Sequence, residues 1–100
     1  MRHRARKDKN HGELKAAFHD MGCSVADLHN TGLPGWPDVV VGVMSRNHLV
    51  EFKNPETRYG RAGLNSNQQA FAAEWRGGKL FVVSSVDEVA ALVRNMRAMG

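Results

Sequence analysis

The stretch GWPDVVVGVMSRNHLVEFKNP, residues 35–55, contains two apolar runs joined by a short polar segment. The run DVVVGVM is apolar on both faces, which is typical of a strand in the middle of a sheet. HLVEFK predicts the returning strand of an antiparallel hairpin, and SRN predicts its turn. Three charged residues, Asp38, Glu51 and Lys53, lie at the ends of these strands. Burying a carboxylate without a compensating partner costs free energy, so strand packing alone does not explain why these charged residues lie here.

The three charges are expected to cluster at one end of the hairpin. Strand side chains alternate, so Glu51 and Lys53 share one face of the second strand. With the turn centred on Ser45 and Arg46, residues near Asp38 lie opposite residues near Lys53. Two carboxylates this close favour a divalent cation such as Mg²⁺, which takes oxygen ligands and retains water for substrate phosphates. The alternative is an ordinary half-exposed strand with an i, i+2 Glu/Lys pair.

The rest of the chain predicts helices and strands in the order αβββαβα. The strands before and after the second helix are expected to be parallel, joined by a right-handed crossover. The result is a small mixed four-stranded sheet flanked by helices, with an extra C-terminal helix. Outside the hairpin, the predicted elements are a helix over 10–21, a strand in 23–28, a polar loop over 54–65, a helix over 65–75, a strand in 79–84 and a final helix capped by Ser85.

Length and composition restrict the class of protein. One hundred residues accommodate a single domain. The lone Cys23 excludes an intrachain disulfide and a cysteine-based zinc site, which favours a reducing, intracellular setting. The longest apolar run, 39–44, is far shorter than the roughly 20 residues of a membrane span, so no membrane partner is expected. The charged N-terminus has no apolar stretch behind it, so no signal peptide is expected.

The positive charge is concentrated at the N-terminus. The net charge of the chain is +4, and residues 1–10, MRHRARKDKN, account for all of it. These residues predict a flexible basic arm that precedes a single domain over residues 11–100. Arg4, Arg6 and Lys7 in this arm are candidate contacts to nucleic acid through counterion release. A solvated leader that aids solubility is the alternative.

Pro37-Asp38 followed by Glu51-Phe52-Lys53 resembles the PD-(D/E)xK signature of the restriction-endonuclease-like nuclease superfamily. The segment LNSNQQAF, residues 64–71, is similar to the L-x-x-x-Q-x-x-aromatic motif of the VRR-NUC branch of that superfamily. The αβββαβ order is that of the superfamily core, and the resemblance covers roughly residues 10–93. It implies an α/β restriction-endonuclease-like fold and hydrolysis of nucleic-acid phosphodiesters that depends on Mg²⁺ or Mn²⁺, without a small-molecule cofactor.

The resemblance also assigns roles to the charged cluster. Asp38 and Glu51 are implied as metal ligands together with the main-chain carbonyl of Phe52. Lys53 is implied to orient or activate the attacking water, or to stabilise charge that develops on phosphorus.

One glutamine of the second helix is expected to join this cluster. Gln68 shares a helical stripe with Phe71, so it faces the sheet, whereas Gln69 is turned about 100° away. The family pattern selects Gln68 as well. Ser66-x-x-Gln69 fits a capping box, which gives Gln69 a structural role. In a competing register, with Asn65 as the cap, Gln68 takes that structural role instead.

Three further residues have two open roles each. Glu13 matches an acidic metal ligand on the first helix of the family, but Asn10-x-x-Glu13 also fits a capping box. Arg58 and Arg61 lie in the loop beyond Lys53, where they either close over substrate phosphates or remain solvated. The five histidines of the chain show no metal-ligand spacing.

The predicted function is a stand-alone, Mg²⁺- or Mn²⁺-dependent endonuclease. Because the chain has no separate target-recognition domain, it is expected to select DNA by structure, such as a four-way junction, rather than by sequence. A homodimer would present two active sites to a two-fold substrate, and the small stand-alone form suggests a phage origin by analogy. The alternatives are a nuclease subunit of a larger DNA-processing complex and a non-catalytic nucleic-acid-binding module, which metal dependence distinguishes.

Overall fold

The computed structural model describes residues 2–28 and 31–99, and the side chains of residues 9–28, 31–58 and 60–99. Helices and strands follow one another in the order that the sequence predicted, apart from one added turn of helix, α2, in the expected polar loop. That turn follows Thr57, whose hydroxyl accepts the N–H of Gly60 at 2.8 Å. In chain order the elements are α1 (Arg2–Asp20), β1 (Ser24–Asp27), β2 (Val39–Val43), β3 (Arg46–Phe52), α2 (Arg58–Arg61), α3 (Ser66–Glu74), β4 (Leu80–Val83) and α4 (Val86–Met99).

The four strands form one mixed sheet in the order β1-β2-β3-β4. The strands β1 and β2 pair antiparallel, as do β2 and β3. The last strand returns parallel to β3, with Phe52 opposite Val83. The α/β class, the mixed four-stranded sheet and the parallel return of the last strand are therefore confirmed.

The hydrophobic core lies between one face of the sheet and the helices α1 and α4. Strand alternation explains its composition, because every second residue of β2 and β3 points to this face. The opposite face of the sheet is covered in part by the short helix α3, which buries none of its residues fully. The core residues are Leu14, Ala17, Phe18, Cys23, Val39, Val41, Val43, Val50, Phe52, Val83, Val89, Val93 and Met96. None of the helices within the described residues combines the length and the apolar character that a membrane span needs.

The first helix begins at Arg2 rather than near residue 10. Arg, Lys and Ala are good helix formers, and neither Gly nor Pro interrupts residues 2–11, so the helix continues through the basic segment. The apolar stripe that revealed the helix begins only at Leu14, which is why the sequence pattern placed the start too late. Asn10 consequently lies inside the helix, and the predicted capping box of Asn10 with Glu13 is wrong.

The hairpin turn lies one residue earlier than the predicted centre at Ser45 and Arg46. Met44 and Ser45 are its central residues, with φ of 55° and 62°, and Val43 pairs with Arg46. Positive φ at both central positions is what a tight two-residue hairpin turn requires. Because Gly, Asn and Asp usually occupy such positions, Met44 carried no turn signal.

This shift changes which charged residues meet across the hairpin. Val39 pairs with Val50, so one further step along both strands places Asp38 opposite Glu51. The sequence placed residues near Asp38 opposite residues near Lys53, and the observed pairing lies two residues nearer to the turn on β3.

The connector before β2 is held against the start of α3. Gly35 has φ of +79°, and a Cβ at this position would lie 2.6 Å from the carbonyl carbon of Asn67. The indole ring of Trp36 contacts the aromatic rings of Phe71 and Trp75, with centroid distances of 5.4 and 5.7 Å. Trp36 therefore packs the connector against α3, and this contact fixes the start of β2 relative to the helix.

Gly35→Ala is expected to lower the free energy of unfolding by about 1–3 kcal/mol more than Gly32→Ala, because overpacking adds to the strain of a left-handed residue. Gly32 is a matched control, since its φ is +73° and no atom lies within 4 Å of its hypothetical Cβ. Urea denaturation of both variants measures the difference. Equal losses would show that the close approach to Asn67 contributes nothing to stability.

Candidate active site

Two carboxyl groups meet where β2 begins and β3 ends. Asp38 directly precedes β2, and its Oδ2 accepts the backbone N–H of Phe52 at 2.7 Å. Glu51 is the penultimate residue of β3, and only 5% of its surface is exposed. Its side chain points away from the hydrophobic core, because the neighbouring residues Val50 and Phe52 point into it.

Burial and a like charge both act on Glu51. Desolvation, followed by the charge of Asp38, raises the pKa of Glu51 from its ordinary value of 4.5 to about 7. The ammonium group of Lys53 opposes this rise. Near neutral pH the Glu51 carboxyl group is therefore divided between its protonated and ionised forms. Perturbed carboxyl groups of this kind cluster at functional sites.

Lys53 and Gln68 complete a buried network around Glu51. Gln68 Nε2 donates to Glu51 Oε2 at 2.6 Å, and Gln68 Oε1 accepts from Lys53 Nζ at 2.9 Å. The Lys53 ammonium lies 3.5 Å from Glu51 Oε2, and 5% of its residue surface is exposed. The structure thus brings Asp38, Glu51, Lys53 and Gln68 together.

Gln68 also caps the start of helix α3. Asn65 is the N-cap, its side chain accepts the N–H of Gln68, and Gln68 Oε1 accepts the N–H of Asn65 at 3.0 Å. The predicted capping box of Ser66 with Gln69 is therefore wrong, and the competing register with Asn65 is correct. The two roles of Gln68 were posed as alternatives, but it performs both. Its amide oxygen has two lone pairs and accepts from Asn65 N–H and from Lys53 Nζ, while its amide nitrogen donates to Glu51.

Helix α1 reaches the site through Asn10 and His11. Asn10 Nδ2 donates to the main-chain carbonyl of Lys53 at 3.3 Å. His11 Nε2 lies 3.7 Å from Asp38 Oδ1, and 14% of each side chain is exposed. The imidazole ring meets the ring of Phe52 edge-on, with centroids 5.1 Å apart.

Sequence reasoning missed His11, although a signal was present. His11, Leu14 and Phe18 follow i, i+3, i+7 spacing, so they lie on one stripe of the helix. Both Leu14 and Phe18 are in the core, so the stripe directs His11 toward the sheet as well. A search for metal-ligand spacing among histidines could not reveal a residue whose partners lie in other elements.

Glu13 lies beside the site rather than within it. It is exposed and lines a groove of about 300 Å³ between α1, the end of β3 and the start of α4, together with Asn54 and Ser84. Among the described residues, no hydrogen bond or ion pair joins Glu13 to Asp38 or Glu51. Its predicted role as a metal ligand gains no support from this position.

The candidate nucleic-acid contacts lie on the surface or outside the described side chains. Arg58 and Arg61 are exposed in α2, and Arg61 donates to the carbonyl of Pro55 at 3.0 Å. Arg4, Arg6 and Lys7 lie outside the described side chains. Their role, and the division of the chain into residues 1–10 and 11–100, stay predictions.

The described side chains offer a pair of acidic metal ligands rather than a larger cluster. Within the described side chains, no group of three or more His, Cys, Asp and Glu residues is arranged to hold an ion. Asp38 and Glu51 form a pair, and the part predicted for the main-chain carbonyl of Phe52 stays a prediction.

The α/β sheet and its topology are those of a restriction-endonuclease-like fold. A comparison with solved structures supports the particular branch: the chain is similar to a structure described as a VRR_NUC domain, with 25% sequence identity and a TM-score of 0.66. The match covers 87% of this chain and 92% of that one. Comparisons with family models and with curated proteins found no significant match. The solved structure supports the VRR-NUC branch for this chain, and with it a nuclease-type domain.

Glu51→Gln is expected to stabilise the metal-free protein above pH 7 by roughly 2–3 kcal/mol. Folding raises the pKa of Glu51 from 4.5 to about 7, so the stability of the wild type is complete below pH 4.5 and falls as the pH rises through 7. Glutamine stays neutral at every pH, so the stability of the variant does not fall in this way. Thermal unfolding between pH 4.5 and 8.5 measures both curves.

Glu74→Gln is the matched control for this measurement, because Glu74 is an exposed carboxylate at the end of α3. Its curve is expected to follow that of the wild type. A Glu51→Gln curve parallel to that of the wild type would contradict the raised pKa.

Gln68→Ala is expected to lower the free energy of unfolding by about 2–3 kcal/mol, because it removes two hydrogen bonds to charged groups and leaves those groups buried. Gln69→Ala is the control and is expected to cost under about 1 kcal/mol, since Gln69 is exposed and its side chain donates to the carbonyl of Leu64 at 2.8 Å, away from the charged groups. Denaturant unfolding compares them. A larger loss for Gln69→Ala would show that Gln68 does not hold the network together.

Proposed function

We propose that this chain is a metal-dependent endonuclease that hydrolyses phosphodiester bonds of DNA. The observation that carries the proposal is the buried network of Asp38, Glu51, Lys53 and Gln68 at the edge of a nuclease-type fold. A strand that served only packing would gain nothing from a buried carboxylate with a raised pKa beside a second carboxyl group. A module that only bound DNA would require none of these four groups.

The donor set fits a hard divalent ion, Mg²⁺ or Mn²⁺. Such ions are often bound by one or two carboxylates, with water and substrate phosphates as the remaining ligands. The pair of Asp38 and Glu51 meets this requirement, and the charge of Asp38 that raises the pKa of Glu51 is one that a cation would neutralise. The main-chain carbonyl of Phe52 is the third proposed ligand. When bound, the ion would activate water and polarise the phosphate.

The other two residues act on the substrate side of this site. The Lys53 ammonium is held by Gln68 at 2.9 Å, so its position is fixed before substrate arrives. There it orients the attacking water or stabilises the negative charge that develops on phosphorus. Gln68 is a positioning residue, because it bonds both Glu51 and Lys53.

We further propose that the substrate is branched DNA and that two copies of the chain bind it. Residues 11–100 carry no net charge, so the basic segment and the exposed Arg58 and Arg61 are the proposed contacts to the DNA backbone. Backbone contacts fix position without reading sequence. A two-fold dimer would present two such sites to a four-way junction.

Purified protein is expected to cut DNA in Mg²⁺ or Mn²⁺ and to leave it intact in EDTA. Four-way junction, flap, linear and single-stranded substrates distinguish the preferred form. Lys53→Met is expected to lower the rate of cutting by at least about 100-fold, because it removes a preorganised charge from the reacting phosphate. A gel shift is expected to show that this variant still binds the DNA.

Lys79→Met is the matched control, because Lys79 is an exposed lysine that precedes β4 and lies over the ring of Phe81. It is expected to cut at the wild-type rate. DNA that is bound in EDTA and never cut in either metal would instead identify a binding module.

A further inference from the structure

The residue that α1 contributes to the site is decided by helix geometry. Glu13 is the residue that the family pattern selects, yet it is exposed and lines the groove beside the site. His11 lies two positions earlier, which corresponds to about 200° around a helix. The two side chains therefore cannot both face the carboxyl pair, and His11 is the one beside Asp38.

The position of His11 is fixed from three directions. Its ring meets the edge of the Phe52 ring at 5.1 Å. Its helix is tied to β3 by the hydrogen bond from Asn10 to the carbonyl of Lys53. Its Nε2 atom lies 3.7 Å from Asp38 Oδ1, while the other oxygen of Asp38 accepts the N–H of Phe52.

The separation of these two atoms suits a shared ion better than a direct hydrogen bond. Nε2 and Oδ1 are 3.7 Å apart, beyond the usual limit for an N–H···O bond of about 3.2 Å. Two bonds of about 2.1 Å to a single ion span at most about 4.2 Å. A first-row metal ion can therefore reach both atoms from one position.

We propose that His11 is a metal ligand through Nε2, beside Asp38, and that it makes the site selective for Mn²⁺ over Mg²⁺. This inference rests on the proposed function, because it assumes that Asp38 binds the catalytic ion. Mg²⁺ takes oxygen ligands, whereas imidazole nitrogen suits transition-metal ions. An ion shared by His11 and Asp38 has one imidazole nitrogen as a ligand, which favours Mn²⁺ in a way that carboxylate oxygen alone does not.

The test is electron spin-echo spectroscopy of the full chain loaded with Mn²⁺. The wild type is expected to show coupling of the manganese electron spin to ¹⁴N, and labelling with ¹⁵N-histidine is expected to replace it with ¹⁵N coupling. This measurement needs no substitution, so it does not depend on whether a variant folds. Absence of nitrogen coupling from histidine would overturn the proposal.

Calorimetric titration with Mn²⁺ and with Mg²⁺ tests the selectivity. His11→Gln is expected to weaken Mn²⁺ binding by about 10- to 100-fold, the scale on which even outer-sphere partners act, and to weaken Mg²⁺ binding less. His19→Gln is the matched control on an exposed position of the same helix, and it is expected to bind Mn²⁺ as the wild type does.

Asp38→Asn separates the failure of this inference from that of the proposed function. If Asp38→Asn abolishes Mn²⁺ binding while His11→Gln leaves it unchanged, His11 is not a ligand but the metal site stands. If Asp38→Asn leaves Mn²⁺ binding unchanged, the metal site fails and the role of His11 fails with it. A loss of metal-free stability in His11→Gln without a change in Mn²⁺ affinity would identify a structural ion pair and overturn the proposal.

Discussion

The burial of Glu51 beside Asp38 is the constraint around which this small fold is organised. A carboxyl group that is 5% exposed next to another carboxyl group carries a cost that the sheet alone cannot offset. The chain supplies partners from a different element, since Gln68 of α3 bonds both Glu51 and Lys53. The position of α3 on the sheet is therefore tied to the chemistry of the strand ends.

Three separate segments converge on this point. The hairpin sets the register of the carboxyl pair, the first turn of α3 positions Gln68, and α1 positions Asn10 and His11. The connector links two of them, because Gly35 lies against the first turn of α3 shortly before Asp38. Most of the hydrophobic core lies on the other face of the sheet, so these polar contacts, rather than core packing, determine the geometry of the site.

Much of this architecture could be predicted from the sequence, because apolar periodicity reports burial directly. The central strand β2, the strand β4 and the parallel return of the chain could all be predicted. The hairpin turn could not be predicted, since Met44 adopts a positive φ that its side chain disfavours. The pairing register of β2 with β3, rather than local preference, holds Met44 in this conformation.

The details of the site were less accessible than the fold. Asp38, Glu51, Lys53 and Gln68 could be found through a short motif, but the double use of Gln68 depends on distances that no pattern contains. His11 was overlooked because its partners, Asp38 and Phe52, are far from it in sequence. Glu13, which the motif favoured, is directed elsewhere by the rotation of α1.

The hydrogen bonds of the site also make two main-chain amides into natural reporters of its state. The N–H of Phe52 donates to Asp38 Oδ2, and the N–H of Asn65 donates to Gln68 Oε1. An amide proton shift follows the charge of its acceptor, so the resonance of Phe52 would report on one carboxyl group and that of Asn65 on the network around the other. Nuclear magnetic resonance of the unmodified chain can thus follow ionisation, metal and substrate at both halves of the site without any added probe.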